Sequence, residues 1–382
     1  MTVHHHSPLS CDCKSGVRTL VLLSSEDSFG FSEFAVFGTD ENWQYEPDFG
    51  VVCVEVGPDK KWAGAAEVVN FLRTVIKDAA QLETLRAAWL DRRQSLPAQL
   101  IRLGREAEPL TGFAKAESGA SELLDILNNR RIETWYQPVI DARTNRLWGY
   151  ECLMRGRKGD GSLVGAPQML DWAGSENLKF MLDRVCRETH LENAGRQNLG
   201  AECRFLINFL PTAIYQPEYC LQTSLAAMRR SGLQPAQVIF EVVETEKVED
   251  SNHLLKILDF YRRSGFGVAL DDMGSGYAGL TLLGDLQPDL IKIDREIVNK
   301  AGGSKSHYNI CAALTKLGHD NGQLVLAEGV ETEEEVLLMN ALGVDLFQGY
   351  YFGKPQPVPA TDIQFMPLET RLAFVEDLSS VH

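Results

Sequence analysis

Acidic, amide and lysine side chains recur at one kind of place in this sequence: at, or just past, the end of a short apolar run. In chain order they are Glu151, Asn208, Glu241 with Glu244, Asp271 with Asp272, Lys292 with Asp294, Glu328 with Glu331, and Gln348. A carboxylate at the end of a buried strand is costly unless a cation or hydrogen-bond donors receive it. Several together repel one another and retain protons unless cations stand among them. Oxygen donors of this kind suit Mg²⁺ or Mn²⁺. Asp271 is placed to bridge two such ions, with Asp272 reaching one. Two ions about 3.5–4 Å apart clamp a phosphate and generate hydroxide, a standard device for phosphoester hydrolysis. Lys292 lies inside an apolar run, where a lysine is paired with a carboxylate or, beside metal ions, holds a water or a phosphate oxygen.

The elements that must position these groups follow from the same runs. In FGVALDDMGSGYAGLTLLGDLQPDLIKID, Phe266–Asp294, the segments Gly267–Leu270 and Leu290–Ile293 are bounded by glycines and Pro288. Short apolar runs with such boundaries read as buried strands. From Ile132 to about Pro357 the pattern repeats: strand-like TWYQPVI and LWGYECLM joined by the turn DARTNR, then strands CRFLINF, VIFEVV, VALDD, LIKID, LVLAEG and VDLFQG with helical segments between them. Repeated β-then-α with near-continuous apolar strands predicts an α/β fold, a (β/α)8 TIM-like barrel, whose strand ends converge on one rim. A doubly wound sheet is the runner-up; the first βα turn lacks its glycine fingerprint. Barrel geometry and the strand-end carboxylates together point to a metal-dependent phosphodiesterase.

The remaining chain is less informative. At 382 residues there is room for two domains, and 44% hydrophobic content is ordinary for a soluble protein. No apolar run approaches the ~20 residues of a membrane span, and the start shows no signal peptide, so a cytoplasmic protein is expected. Eight scattered cysteines suit reduced thiols. The formal charge of −16 argues against binding nucleic-acid polymers. Residues 1–16 read as a flexible leader; His4, His5 and His6 with Cys11 and Cys13 are either part of it or metal ligands. Residues 17–118 read as a small α/β regulatory domain preceding the barrel domain at 119–382. VRTLVLL, EFAVFG and VVCVEVG are its expected strands. Helical spacing begins at Ala65 and continues through QLETLRAAWLDRRQ and LPAQLIRLGR. Trp43, Tyr45 and Trp62 read as core, with a ligand pocket as the alternative. Thr111–Ser121 reads as the boundary, followed by a helix capped by Ser121.

Eight motifs in order give residues 121–357 a specific resemblance to the EAL domain, the family of cyclic di-GMP phosphodiesterases. They are YQPVI at Tyr136–Ile140, ECLMRG at Glu151–Gly156, INFLP at Ile207–Pro211, EVVET at Glu241–Thr245, DDMGSGY at Asp271–Tyr277, KID at Lys292–Asp294, AEGVET at Ala327–Thr332 and QGYYFGKP at Gln348–Pro355. The resemblance implies that Glu151, Asn208, Glu241 and Asp271 hold a first metal, and that Asp271, Asp272 and Asp294 serve a second. It implies Glu328 as general base, Lys292 against the attacking water, and Glu244 as support for the loop after Asp272. Gln137, Leu153, Arg155, Glu331 and Gln348 would serve the substrate, Arg155 through a phosphate. The implied reaction is hydrolysis of cyclic di-GMP to linear pGpG with two Mg²⁺ or Mn²⁺ ions, in a homodimer. The alternatives are a non-catalytic cyclic di-GMP receptor and a hydrolase for another phosphodiester. Three positions depart from the family pattern. Cys152 replaces the central alanine of the signature and reads as inert filler. Met273 replaces phenylalanine and Ser275 replaces threonine in the loop.

Overall fold

The computed structural model describes residues 18–24, 43–46, 51–56, 60, 62–76, 84–89, 107–174, 176–211, 214, 222–243, 251–274 and 279–360. The leader with His4–His6, Cys11 and Cys13, the EFAVFG and LPAQLIRLGR segments, Glu244 and Ser275–Tyr277 lie outside them. The chain divides into two compact units: residues up to 125 together with 168–174, and residues 126–167 together with 175 onward.

In the first unit β1 (Arg18–Ser24), β2 (Trp43–Glu46), β3 (Val51–Val56), β4 (Leu85–Trp89) and β5 (Glu108–Pro109) form an antiparallel sheet in the order β2-β3-β1-β4-β5. Helix α1 (Ala65–Val75) turns Val68, Val69 and Leu72 into a core with Leu20, Leu22, Val54, Leu85 and Ala87. Trp62 is part of that core, 4.7 Å from Phe71 between ring centres, with Trp43 packed against both rings. Core is therefore the reading that holds for these two tryptophans.

Two local expectations are corrected here. LRAAW, read as helical, is strand β4, paired with β1 from Leu20↔Trp89 to Ser24↔Leu85. A run of five residues carries little periodicity, and the pairing edge of β1 overrides the helix propensity of Leu, Arg and Ala. Thr111–Ser121 is no loop: α2 runs unbroken over Leu110–Asn128, so Ser121 is an interior helical residue and not a cap. Gly119, within that segment, faces the ring of Trp172. A Cβ there would stand 2.1 Å from a ring carbon, so packing explains that glycine and the alanine-rich segment around it stays helical.

In the second unit eight strands close a ring: β6 (Ile132–Asp141), β7 (Leu147–Arg157), β9 (Arg204–Asn208), β10 (Val238–Val243), β11 (Gly267–Met273), β12 (Leu290–Ile293), β13 (Leu324–Ala327) and β14 (Leu346–Gln348), which returns to β6. The short β8 (Leu163–Gly165) flanks an extension of β7. From β7 to β14 the ring is parallel; β6 runs antiparallel to both neighbours. This departs from an all-parallel barrel, and the DARTNR turn causes it. Asp141 Oδ1 accepts from the backbone N–H groups of Arg143 (3.0 Å) and Thr144 (2.7 Å), closing a turn too short for a crossover.

The short α3 (Ala166–Trp172) follows β8 in the chain, and helices cover the outside of the ring: α4 (Glu176–Gln197), α5 (Gln222–Ser231), α6 (Ser251–Arg263), α7 (Gly279–Leu286), α8 (Arg295–Ala301), α9 (Lys305–Asp320) and α10 (Glu333–Ala341). Among the described residues no helix is long and apolar enough to cross a membrane. Inside the ring, Val139, Leu206, Ile239, Ala269, Leu290, Leu326 and Leu346 pack as one apolar layer. Successive residues of a strand alternate faces, so the side chains two positions onward also point inward. These are Gln137 (two positions back on the reversed β6), Asn208, Glu241, Asp271, Lys292, Glu328 and Gln348.

Candidate functional site

Lys292 is the centre of the polar layer. Its side chain is fully buried, and Nζ lies 2.7 Å from Glu328 Oε1, 2.9 Å from Glu241 Oε1, 3.1 Å from Asp271 Oδ1 and 3.9 Å from Glu151 Oε1. Burial alone would lower its pKa. Asp271, Glu151, Glu241 and Glu328 outweigh that and hold it well above the ordinary lysine value. Asn208 joins two of the carboxylates, its Nδ2 donating to Glu151 Oε1 and Glu241 Oε2, each at 3.0 Å. Gln348 Nε2 donates to Glu151 Oε2 at 2.6 Å, and the buried Gln348 Oε1 has no hydrogen-bond partner among the described residues.

The adjacent aspartates reach the site through a bulge. Between β11 and β12 the pairing advances from Leu270↔Ile291 to Met273↔Ile293, one residue more on β11. Asp272 occupies that bulge at φ +56°, a left-handed conformation uncommon for a residue other than glycine. Its backbone N–H donates to Asp271 Oδ1 at 2.9 Å. The result is two carboxylates in succession near one centre, where a regular strand would send the second outward. Local backbone strain of this kind collects at functional sites. Glu328 is fixed at the next strand end but one by its N–H, which donates to Ile293 O at 3.2 Å. Gly329 follows at φ +62°, where a Cβ would stand 2.4 Å from Arg295 Cβ; only glycine fits beneath the turn that leads away from Glu328.

These carboxylates outnumber the one ammonium among them. Burial first, then neighbouring carboxylates, pushes Glu241 and Glu328 well above the usual range, with Lys292 opposing. Burial and Asp271 raise Asp272 to about 6. Oxygen atoms of Glu151, Glu241 and Asp271 lie within 4.8 Å of one another, as do those of Asp271, Asp272 and Glu328. Asp271 is common to both groups. The donors are all oxygen, the charge excess is negative, and the Gln348 oxygen is unpartnered. This set fits hard divalent cations.

The structure thus gathers Glu151, Asn208, Glu241, Asp271, Asp272, Lys292, Glu328 and Gln348. Asp294 caps α8, its Oδ1 accepting from Glu296 N at 2.9 Å. Gln137 pairs across the sheet with Glu151 and donates toward Gly353 O at 3.5 Å. Glu331 is exposed, and its backbone N–H donates to Glu335 Oε2 at 2.7 Å beside the α10 capping box. Leu153 and Arg155 continue the inward face of β7 above Glu151. Arg155 lies 5.5 Å over the ring of Trp135, and Nη1 donates to Met154 O at 2.8 Å. Trp135, which faces Leu153 across the hairpin, is a rim residue that the strand-end pattern does not reveal. Its alternation with Gln137 and Val139 along β6 would have placed it. Cys152 points to the outer core, and burial followed by Glu151 and Glu241 pushes its thiol well above the ordinary value, which fits filler. Met273 is buried in the same core.

Comparison with known proteins gives a consistent picture. The family model for the EAL domain matches residues 120–355. The chain is 30% identical over 251 residues to the probable cyclic di-GMP phosphodiesterase PdeG of Escherichia coli, covering 64% of this chain and 48% of that one. A standalone versatile EAL protein from Vibrio cholerae, solved with c-di-GMP bound, superposes with a TM-score of 0.53 at 36% identity, covering 59% of this chain and 92% of that one. The PaMucR phosphodiesterase in complex with c-di-GMP superposes with a TM-score of 0.57 at 26% identity, over 63% and 98% of the two chains. The chain spans less than two thirds of the length of the curated relatives it matches.

Proposed function

We propose that this chain, which belongs to the EAL domain family, hydrolyses one phosphodiester bond of cyclic di-GMP to give linear pGpG. The observation that carries the proposal is the inward polar layer of the barrel, with Asp271 shared between two carboxylate groups around the buried Lys292. Glu151, Asn208, Glu241 and Asp271 would hold one divalent cation, Mg²⁺ or Mn²⁺, and Asp271 with Asp272 a second. Glu328 stands beside that second group and Asp294 beside the bulge. Bound cations would supply neutralisation of the phosphate charge and a more acidic attacking water.

The chain's own groups do the rest. Glu328, whose burial makes it a stronger base than a solvated carboxylate, takes the water proton as oxygen attacks phosphorus and the bond to the 3′ oxygen breaks; a solvent water protonates the leaving oxygen. Lys292, held 2.7 Å from Glu328, keeps that carboxylate aimed and adds positive charge where the phosphorane oxygens gain negative charge. Arg155 and Leu153 on the β7 extension, with Gln137, Glu331 and Gln348, would hold the nucleotide, and Glu244 would support the loop after Asp272. A homodimer in the cytoplasm, with the first unit as a regulatory domain, belongs to the same proposal.

The test is cleavage of cyclic di-GMP by wild type and by Glu328→Ala, with Mg²⁺, with Mn²⁺ and with EDTA. Metal-dependent release of pGpG that the substitution abolishes supports the proposal. Tight nucleotide binding with no product in either metal would make the protein a receptor. Light scattering with and without nucleotide tests the dimer.

A further inference from the structure

A carboxylate and a guanidinium lie fully buried on α4, outside the barrel and away from the polar layer. Arg187 donates from Nε and Nη2 to a single oxygen, Asp183 Oδ2, at 2.9 and 2.7 Å. Its Nη1 donates to Ser224 Oγ on α5. The other carboxylate oxygen, Asp183 Oδ1, turns to the barrel and accepts from the backbone N–H of Leu210 at 2.9 Å. Leu210 stands two residues past Asn208, where the chain leaves β9 for Pro211.

A buried ion pair rarely adds stability over apolar side chains of similar volume, because desolvation offsets the attraction. Its presence in the core calls for another reason, and the Leu210 contact supplies one. Asn208 is the last residue of β9 and pairs with Glu241. Beyond it, Phe209 N–H reaches back to Glu241 O at 3.2 Å, and the next N–H is taken by Asp183. The exit of the strand is therefore tied on both sides, to β10 and to α4. The Asn208 amide, which must meet Glu151 and Glu241 together, takes its direction from that exit. Proline at 211 has no N–H to anchor the turn itself.

We propose that Asp183 and Arg187 are positioning residues for Asn208. Through the Leu210 N–H they hold the amide where it completes the carboxylate group Glu151–Glu241–Asp271 as a divalent-cation site. The inference rests on the metal reading given above and adds to it a pair of residues on the outer helix. Groups that orient metal ligands in this way typically matter about 10- to 100-fold in metal affinity.

The double substitution Asp183→Leu with Arg187→Met isolates the role, because it removes the tether without stranding a buried charge. Mn²⁺ binding to the full chain is titrated by electron paramagnetic resonance alongside thermal melting in EDTA. The expected result is Mn²⁺ affinity about 10- to 100-fold weaker than wild type with a melting temperature near wild type. Cyclic di-GMP cleavage should fall at limiting Mn²⁺ and recover at saturating Mn²⁺, a rescue that a purely structural role would not give. Unchanged Mn²⁺ affinity in the folded double variant would overturn the inference while leaving the metal reading intact. Wild type that binds no Mn²⁺ would overturn both. If the double variant fails to fold, Asp183→Asn decides by the same titration. It keeps the volume but brings one acceptor to a place where Arg187 and Leu210 both donate, so weaker Mn²⁺ binding is again expected and wild-type affinity would sink the idea.

Discussion

Two layers of side chains fill the barrel interior, only two residues apart along the same strands, and they are built on opposite principles. In one, Leu206, Ile239, Ala269, Leu290, Leu326 and Leu346 with Val139 exclude water and carry no charge. In the other, Asn208, Glu241, Asp271, Lys292, Glu328 and Gln348 with Glu151 place carboxylates around one buried ammonium. The first layer gains from burial. The second loses from it, as the raised pKa values of Glu241 and Glu328 record. The apolar layer is the floor that makes the second possible, because it excludes water beneath the cluster and leaves the rim as its open side. Stability and chemistry should therefore separate cleanly by layer.

The sharpest test is Glu328→Gln. Cleavage of cyclic di-GMP should fall by about 10²- to 10⁴-fold, the usual range for loss of a general base. Melting in EDTA should be at or above wild type, because one of several mutually repelling carboxylates has become neutral. Equal losses of activity and stability would show that Glu328 is a structural partner of Lys292 and nothing more. Lys292→Met comes next. Cleavage should fall by about 10²- to 10³-fold. In EDTA the barrel should lose about 3–5 kcal/mol, since buried carboxylates lose their partner, and added Mn²⁺ should restore part of this. A variant as stable as wild type in EDTA would mean that protonation of Glu241 and Glu328 already neutralises the cluster.

In the apolar layer the outcome should reverse. Leu326→Ala, two residues before Glu328 on β13 and fully buried, should cost about 2–5 kcal/mol in urea unfolding. The kcat of the remaining folded protein should stay within a few-fold of wild type. A large kcat loss with little change in stability would break the division between the layers.

Much of this arrangement is legible in the sequence, and the limits have physical causes. Charge at the end of an apolar run is visible one strand at a time, so the polar layer could be read from Glu151 to Gln348. The alternating runs likewise gave the barrel, and the turn DARTNR held the information that β6 is reversed. LRAAW misled because five residues do not distinguish a helical stripe from a strand, and the pairing of β4 with β1 is a tertiary fact. Thr111–Ser121 misled because its small residues serve packing at Gly119. Asp183 and Arg187 could not be read at all. An Asp and an Arg four residues apart on a helix look like a solvated surface pair, and only the fold buries them.

The outer face of β6 offers the mildest test of the same separation. His190 on α4 is buried there, its Nδ1 2.8 Å from Thr134 Oγ1, with Asn193 Nδ2 donating to the same hydroxyl at 3.1 Å. Both neighbours are neutral, and burial pushes the imidazole down to about 3. The unfolded chain binds this proton near pH 6.5 while the folded chain refuses it until about pH 3. The contribution of His190 is therefore fully present above pH 6.5 and is lost as pH falls through that window. The loss is about 1.4 kcal/mol per pH unit, or about 2 kcal/mol between pH 6.5 and 5. Urea unfolding of wild type and His190→Asn at the two pH values measures it. The wild type should lose about 2 kcal/mol more than the variant over that interval, while the pH profile of cleavage stays the same in both, because His190 lies outside the barrel wall. A cleavage profile that shifts with this substitution would show that the outer face of the barrel reaches the chemistry inside it, as the Asp183–Arg187 pair is proposed to do by a different route.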